Sequence, residues 1–245
     1  MTIVIAHRGD PLGHPENTLE AFASAEQLGA GMVELDCKLT RDGHVVVLHD
    51  RTLARLWGVR RAVRDLDLAQ VTAVRLGGYR VPELAEVLVA VPLGVLVDVP
   101  SVAVAEAALL VARAEAALSR CVFCGSIPAL VRLRQLEPGA RIALTWDRPG
   151  LPDRAMLELT KPEWWNPRWQ FASTASVEAA HTLGLGVSVW TVDRASDLRR
   201  ALARGVDAII TNRTARAISL AAEATSQANR EGGAAPWRRR IFWRG

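Results

Sequence analysis

The sequence predicts a (β/α)8, TIM-type barrel, and three observations point there. Eight short apolar runs, rich in β-branched residues, alternate mostly with helical segments over 245 residues, the length and rhythm of that architecture. Polar residues stand at the C-terminal ends of predicted strands one, two, three, four and seven, the face on which such barrels carry their sites. The turn after strand one, His7-Arg8-Gly9-Asp10, is not the glycine-rich phosphate loop expected of a doubly wound open sheet.

Strand one is Ile3 to Ala6. Pro15 to Ala25 then enters a helix, with Asn17 or Thr18 as candidate cap and Leu19, Phe22 and Ala23 as the inward stripe. Strand two runs from Met32 to Lys38, and its period of two puts Glu34 and Asp36 on one face and Val33, Leu35 and Cys37 on the other. Arg41-Asp42-Gly43 is a turn, followed by strand three, Val45 to Leu48. So short a connection leaves no room for a crossover helix, so the barrel is expected to be irregular between strands two and three. Residues 51–81 lose periodicity and read as an insertion over the top of the fold. Helix Glu83 to Val91, strand four (Gly94 to Asp98), helix Val102 to Leu118, strand five (Arg120 to Cys124), helix Ala129 to Leu136 and strand six (Ile142 to Thr145) follow. Leu151 to Phe171, with Trp164, Trp165 and Trp169, reads as loop-rich. Helix Ser176 to Leu183, strand seven (Val187 to Thr191), helix Ala195 to Arg204, strand eight (Asp207 to Thr211) and a last helix from Thr214 to about Ala224 complete the pattern. The expected organisation is one barrel domain over 1–225 and a basic, Arg- and Trp-containing tail over 226–245.

Half the residues are apolar, enough for a large core. The net charge is +4, but only Lys38 and Lys161 are lysines and the arginines are scattered, with no nucleic-acid-reading motif, so a nucleic-acid partner is not expected. Charge and aromatics concentrate only in the tail, Trp237 to Arg244, a candidate for peripheral membrane contact. Cys121 and Cys124 form a CxxC inside a predicted strand with no second pair, so they read, with Cys37, as buried structural cysteines rather than a zinc site. There is no signal-like segment or membrane-length apolar run, and the expectation is a soluble, reduced, cytoplasmic protein.

Glu34, Asp36 and Asp98 come from strand ends that can converge, and three carboxylates facing one point repel unless a cation sits among them. All-oxygen ligands select one hard divalent ion, Mg²⁺ or Ca²⁺. Alternating acids on a strand are often a solvated face, but the apolar neighbours Met32, Val33 and Leu35 count against that here. His7 and His49 flank the acid pair and are candidate general acid and base, and Arg8 offers a planar fork for a phosphate oxygen. A cation, an arginine and two imidazoles make a phosphoryl-transfer site.

His7-Arg8-Gly9, Pro15-Glu16-Asn17-Thr18 with Ala21-Phe22, Gly29-Ala30 with Glu34-Leu35-Asp36, Thr40-Arg41-Asp42-Gly43 and His49-Asp50 together resemble the glycerophosphodiester phosphodiesterase family. The similarity continues through Pro82 to Leu88, Val189 to Asp193 and Gly205 to Asn212. The resemblance implies a barrel with a small insertion after its third strand, hydrolysing glycerophosphodiesters to sn-glycerol 3-phosphate and an alcohol. By the same resemblance His7 and His49 are the acid/base pair, Glu34 and Asp36 hold the metal, Arg8 contacts phosphate and Trp190 lines the pocket, a barrel-core aromatic being the other reading of Trp190. Asp50 would orient His49 or its loop.

Three positions depart from the family pattern. Asp98-Val99-Pro100 replaces Glu-x-Lys, so a metal ligand is kept with shorter reach and a phosphate-binding lysine is lost, a change worth about a hundredfold in rate. Lys38, on the face of Glu34 and Asp36, is a candidate to compensate. Asn212 stands where Asp is common, and Cys124-Gly125 alters the end of strand five. Two rivals follow: a lysophospholipase-D-like enzyme using Trp164, Trp165, Trp169 and the tail on amphiphilic substrates, ordinary loop packing being the other reading of those tryptophans, and a degenerate barrel that binds a phosphorylated ligand without turnover.

Overall fold

The structure, a computed structural model, describes residues 2–230. β1 (Ile3–His7), α1 (Leu19–Gln27) and β2 (Met32–Leu39) open the chain, and β3 (Val45–Val47) folds back antiparallel on β2, pairing Cys37 with Val47 and Leu39 with Val45. The next segment carries α2 (Ala54–Trp57), α3 (Leu68–Thr72) and a small hairpin of β4 (Arg75–Leu76) and β5 (Tyr79–Arg80). Alternation then becomes regular: α4 (Leu84–Ala90), β6 (Gly94–Val99), α5 (Val102–Ala114), β7 (Cys121–Gly125), α6 (Ile127–Leu136), β8 (Arg141–Trp146) and α7 (Arg154–Thr160). It ends with β9 (Trp164–Pro167), α8 (Thr174–Thr182), β10 (Gly186–Val189), α9 (Ala195–Ala203), β11 (Ala208–Thr211) and α10 (Thr214–Arg230).

Nine strands join in the order β1-β11-β10-β9-β8-β7-β6-β2-β3, and a parallel β1–β2 pairing closes all but β3 into an eight-stranded parallel ring. This is the (β/α)8 barrel expected, with two of its strands read wrongly. Val45 to Leu48 is not a stave, because a tight turn can only reverse the chain, and an antiparallel strand cannot join a parallel ring. The missing stave is β9, inside the stretch expected to be loop-rich. Its four residues, Trp-Trp-Asn-Pro, set two strand-favouring aromatics against a strand-disfavouring Asn and Pro and are too few to show alternation, so neither period nor propensity marked it clearly.

Strand alternation divides the apolar residues between two cores. Ile5, Met32, Leu96, Val122, Trp164 and Ile210 fill the barrel interior. Val33, Leu35, Val97, Phe123, Trp165 and Ile209 face outward against Phe22, Leu109, Leu130 and Leu198 of the surrounding helices. Trp164 and Trp165, 5% and 0% exposed, are therefore core residues and offer nothing to an amphiphilic substrate at the surface. Cys121 faces the outer core and Cys124 the interior, so the CxxC pair lies on opposite faces of β7, and the three cysteines are free and buried.

Thr18, not Asn17, caps α1 by accepting the Ala21 N–H, and the buried face of that helix is Ala21, Phe22 and Ala25 while Ala23 is exposed. Residues 51–81 build a small core of their own, in which Leu53, Trp57, Val63, Leu66, Val71 and Val81 pack on Val46 and Leu48 beside β3. Among the described residues no helix is long and apolar enough to cross a membrane. The Trp237–Arg244 segment lies outside the described residues.

Replacing Trp165 with Ala empties the largest fully buried side-chain site and is expected to cost about 3–5 kcal/mol in urea denaturation. A loss of less than about 1 kcal/mol, the range of surface substitutions, would be incompatible with β9 as a core stave.

Candidate active site

Parallel register brings the polar strand ends into adjoining layers: His7 of β1 sits beside Glu34 of β2, and Asp36 beside Asp98 of β6. Alternation turns the three acids inward with Met32 and Leu96, and one oxygen from each lies within 4.8 Å of the others. Burial, and then the neighbouring Asp36 and Asp98, push the Glu34 carboxyl well above the usual carboxylate range. Burial, and then Asp36, raise Asp98 to about 6. Asp98 Oδ1 is buried without a hydrogen-bond partner. Three crowded carboxylates, one of which keeps a buried oxygen without a hydrogen-bond partner, are a fitting donor set for one hard divalent cation. Cys124 lines the same cavity, but burial, then Asp98, raises its thiol well above the ordinary value, so it offers no thiolate.

The turn after β1 serves these acids. Arg8 adopts a left-handed backbone (φ 59°), which aims its N–H at both the Glu34 carbonyl (3.0 Å) and Glu34 Oε2 (3.1 Å). Its guanidinium lies 3.0 Å through Nε from Asp36 Oδ2, an ion pair without hydrogen-bond alignment, and donates through Nη1 to Glu16 Oε1 at 3.1 Å. Gly9 follows at φ 84°, where a Cβ would stand 2.6 Å from the Ala21 backbone. Asn17 donates through Nδ2 to Asp36 Oδ2 at 2.9 Å. The three polar residues of Glu16-Asn17-Thr18 thus divide the work, since Glu16 holds Arg8, Asn17 holds Asp36 and Thr18 starts α1.

His49 arrives by the hairpin. The Leu48 N–H donates to the Asp36 carbonyl at 2.8 Å, which sets the next residue over the acids, and His49 remains 44% exposed at the mouth. Its Nδ1–H donates to Asp50 at 2.7 Å, the orienting contact expected of Asp50. Arg55 of α2, a residue sequence reasoning did not single out, bonds Asp50 Oδ2 at 2.6 Å and Glu16 Oε1 at 2.5 Å. The Arg55 bond, with that from His49, draws the Asp50 carboxyl down to about 2. A polar chain therefore runs His49–Asp50–Arg55–Glu16–Arg8–Asp36. Arg55 was hidden in a run of arginines that reads as ordinary surface charge.

His7 bonds through Nδ1 to Asn212 Oδ1 at 2.8 Å and presents Nε2 3.8 Å from Glu34 Oε2. Burial, and then the Arg8 charge, lower its pKa below the ordinary imidazole value. Trp190 packs at the edge of the interior core and donates Nε1–H to the Asn166 carbonyl at 2.9 Å, with the Arg168 guanidinium 4.8 Å above its ring. It is both core aromatic and pocket wall. All seven singled-out residues, His7, Arg8, Glu34, Asp36, His49, Asp98 and Trp190, line one cavity of about 240 Å³. Lys38 bonds the Cys37 carbonyl at 3.3 Å and is not on the cavity wall, although its charge acts on Asp98. The change to Cys124-Gly125 has a steric reason: at φ 123° a Cβ on residue 125 would lie 2.6 Å from Asp98 Oδ1 and 2.3 Å from the Val99 carbonyl.

An acidic cluster and two imidazoles at the C-terminal mouth of a barrel place a candidate cation site beside groups able to move protons. Residues 7–216 match the model of the glycerophosphoryl diester phosphodiesterase family. A glycerophosphodiester phosphodiesterase of Caldanaerobacter subterraneus is 33% identical over 229 residues, covering 86% of this chain and 94% of the relative. The crystal structure of a glycerophosphodiester phosphodiesterase from Thermotoga maritima superposes with TM-score 0.78 at 27% identity, covering 90% and 98% of the two chains. A phosphodiesterase of Oleispira antarctica, solved with its product sn-glycerol-3-phosphate, has the same fold at TM-score 0.78 and 22% identity, covering 90% and 96%. The chain belongs to the glycerophosphoryl diester phosphodiesterase family. It is an enzyme, a phosphoric diester hydrolase.

Mg²⁺ or Ca²⁺ at about a hundred times its dissociation constant is expected to stabilise the protein at pH 7.5 by about 2.7 kcal/mol, read as a rise in thermal midpoint. The Asp98 pKa is raised, so as pH falls through about 6 this carboxyl takes a proton, the repulsion is relieved and a ligand oxygen is lost. At the same cation concentration the rise should therefore shrink by pH 5, and an increment independent of pH would count against the cluster. Gly125→Ala, by displacing Asp98, should weaken cation affinity about tenfold or more in the same assay.

Proposed function

We propose that the enzyme hydrolyses glycerophosphodiesters to sn-glycerol 3-phosphate and an alcohol, using one divalent cation, Mg²⁺ or Ca²⁺, held by Glu34, Asp36 and Asp98. The observation that carries this reading is the orphaned, buried Asp98 oxygen within a three-carboxylate cluster that lies beside His7 and below His49. A divalent cation in such a site supplies charge neutralisation for the phosphate and an electrostatic pull on the attacking oxygen.

The remaining chemistry falls to the side chains. Arg8 is the arginine on the cavity wall and binds a phosphate oxygen, its plane held by Asp36 and Glu16. His7 and His49 reach the cavity from different elements, one buried beside Glu34 and one at the solvent side. Such a pair suits a displacement with an attacking and a leaving oxygen: one imidazole accepts the proton of the first and the other protonates the second. Both act through Nε2, since Nδ1 of each is engaged by Asn212 or Asp50. Trp190 forms the apolar side of the cavity against which the glycerol backbone lies.

The test is release of glycerol 3-phosphate from glycerophosphocholine and glycerophosphoethanolamine with EDTA, Mg²⁺ or Ca²⁺. Release should require the cation and fall by about 10²–10⁴ in His7→Ala and in His49→Ala. Cation-dependent release that survives both substitutions would remove the acid/base assignment. Arg55→Ala, which severs Asp50 from Glu16, should lower kcat by about tenfold while leaving the fold intact, and an unchanged kcat would show that the arginine chain does not hold His49.

A further inference from the structure

On the Nδ1 side of His7 lies a second polar chain that the reaction scheme does not use. Asn212, just beyond β11, accepts from His7 through Oδ1 (2.8 Å). Its Nδ2 donates to Asp193 Oδ2 (2.8 Å), and its backbone N–H donates to Asp193 Oδ1 (2.8 Å). The Thr211 hydroxyl also donates to Asp193 Oδ1, at 3.1 Å. Three elements meet here: His7 ends β1, Asp193 follows β10 and Asn212 follows β11.

We infer that Asp193 and Asn212 are positioning residues that lock His7 in the tautomer with its proton on Nδ1, leaving Nε2 bare toward the acidic cluster. Donor and acceptor parity imposes the choice. An ionised carboxylate only accepts, and Asp193 is met by three donors, so the amide nitrogen of Asn212 has to face it. The amide oxygen is thereby turned to His7, and an oxygen without a proton demands a donor. A neutral imidazole has one N–H to give, so it lies on Nδ1. Nε2, 3.8 Å from Glu34 Oε2, keeps its lone pair for the reacting groups. Were Asn212 free to turn over, its NH₂ would face Nδ1 and favour the opposite tautomer, which buries the lone pair on the wrong side of the ring. Asp193 is not on the cavity wall and acts through Asn212.

Parity also makes a sharp test, because it survives exchange of the two residues. In the reciprocal variant Asp193→Asn/Asn212→Asp, the carboxylate at 212 accepts from both His7 Nδ1–H and the new amide at 193. The amide oxygen at 193 then accepts the backbone N–H of residue 212 and the Thr211 hydroxyl. Each single exchange breaks this: Asp193→Asn presents an NH₂ to the residue 212 amide and draws its oxygen away from His7, and Asn212→Asp sets two carboxylates face to face.

The inference rests on His7 belonging to the acid/base pair, so the experiment reads the tautomer separately from activity. Ring ¹⁵N shifts and long-range couplings of His7 are recorded on ¹⁵N-histidine-labelled, cation-loaded protein at about pH 8, above the ordinary imidazole range, with His7→Gln for assignment. The wild type should show the Nδ1–H tautomer. Asp193→Asn should show mixed or reversed tautomer signals and a kcat lower by about tenfold or more with KM little changed. The reciprocal variant should regain the Nδ1–H signature and kcat to within about threefold of the wild type. An Nε2–H tautomer in the wild type overturns the inference. So does a folded reciprocal variant no better than the poorer single one, or an unchanged tautomer in Asp193→Asn. The Nδ1–H signature in a protein that releases glycerol 3-phosphate with no cation would uphold the lock and reject the proposed function instead.

Discussion

The structure depends on the repulsion among three carboxylates brought together in a nearly dry barrel mouth. Glu34 and Asp36 are almost completely buried and Asp98 partly so, within reach of one another. Such a cluster is tolerated only where each oxygen meets a donor or a cation. The fold meets part of that demand with its own donors. The Arg8 N–H takes Glu34, the Arg8 guanidinium and the Asn17 amide take Asp36, and Asp98 is left with a buried oxygen that has no hydrogen-bond partner. The left-handed turns at Arg8 and Asn17 are the backbone strain accepted in order to aim those donors.

Around that centre two polar chains hold the histidines, and they differ in kind. His49 is secured by two carboxylates alternating with two arginines, a chain of charges that crosses from the β3 hairpin through α2 to the β1 turn. His7 is secured by a neutral amide and then a carboxylate, across the seam where β10, β11 and β1 adjoin. The insertion of residues 51–81 is thereby part of the site's framework. Its apolar core fastens α2 to Val46 and Leu48, and α2 carries the arginine that joins both halves of the mouth.

Much of this was legible in the chain. The donors and their side of the strand follow from local geometry: alternation along β2 put Glu34 and Asp36 together, and the strand ends advertised His7, His49 and Asp98. The match of these residues to a recognisable pattern then supplied the reaction class. The elements misread were those whose local signals are weak or shared. Trp164 to Pro167 lacks β-branched residues, and Val45 to Val47 looks like any other buried strand until its partner and direction are known. For Trp164 and Trp165 both loop packing and a surface role stayed open, because an aromatic run in an apparent loop gives no sign of which way it faces.

By itself, then, the sequence determined which chemical groups are present, their spacing and the face of each strand they occupy, because those follow from covalent order and a two-residue period. Which strands close the ring, and which polar groups meet, were decided only by the tertiary structure. Arg55 reaches Glu16 across 39 positions and His7 reaches Asn212 across 205. No local rule connects residues so far apart. Closing β1 onto β2 and β11 brings Asn212 to His7, and packing residues 51–81 over β3 brings Arg55 to Glu16. Those closures decide which histidine nitrogens are engaged and which carboxylate oxygen is left for a cation.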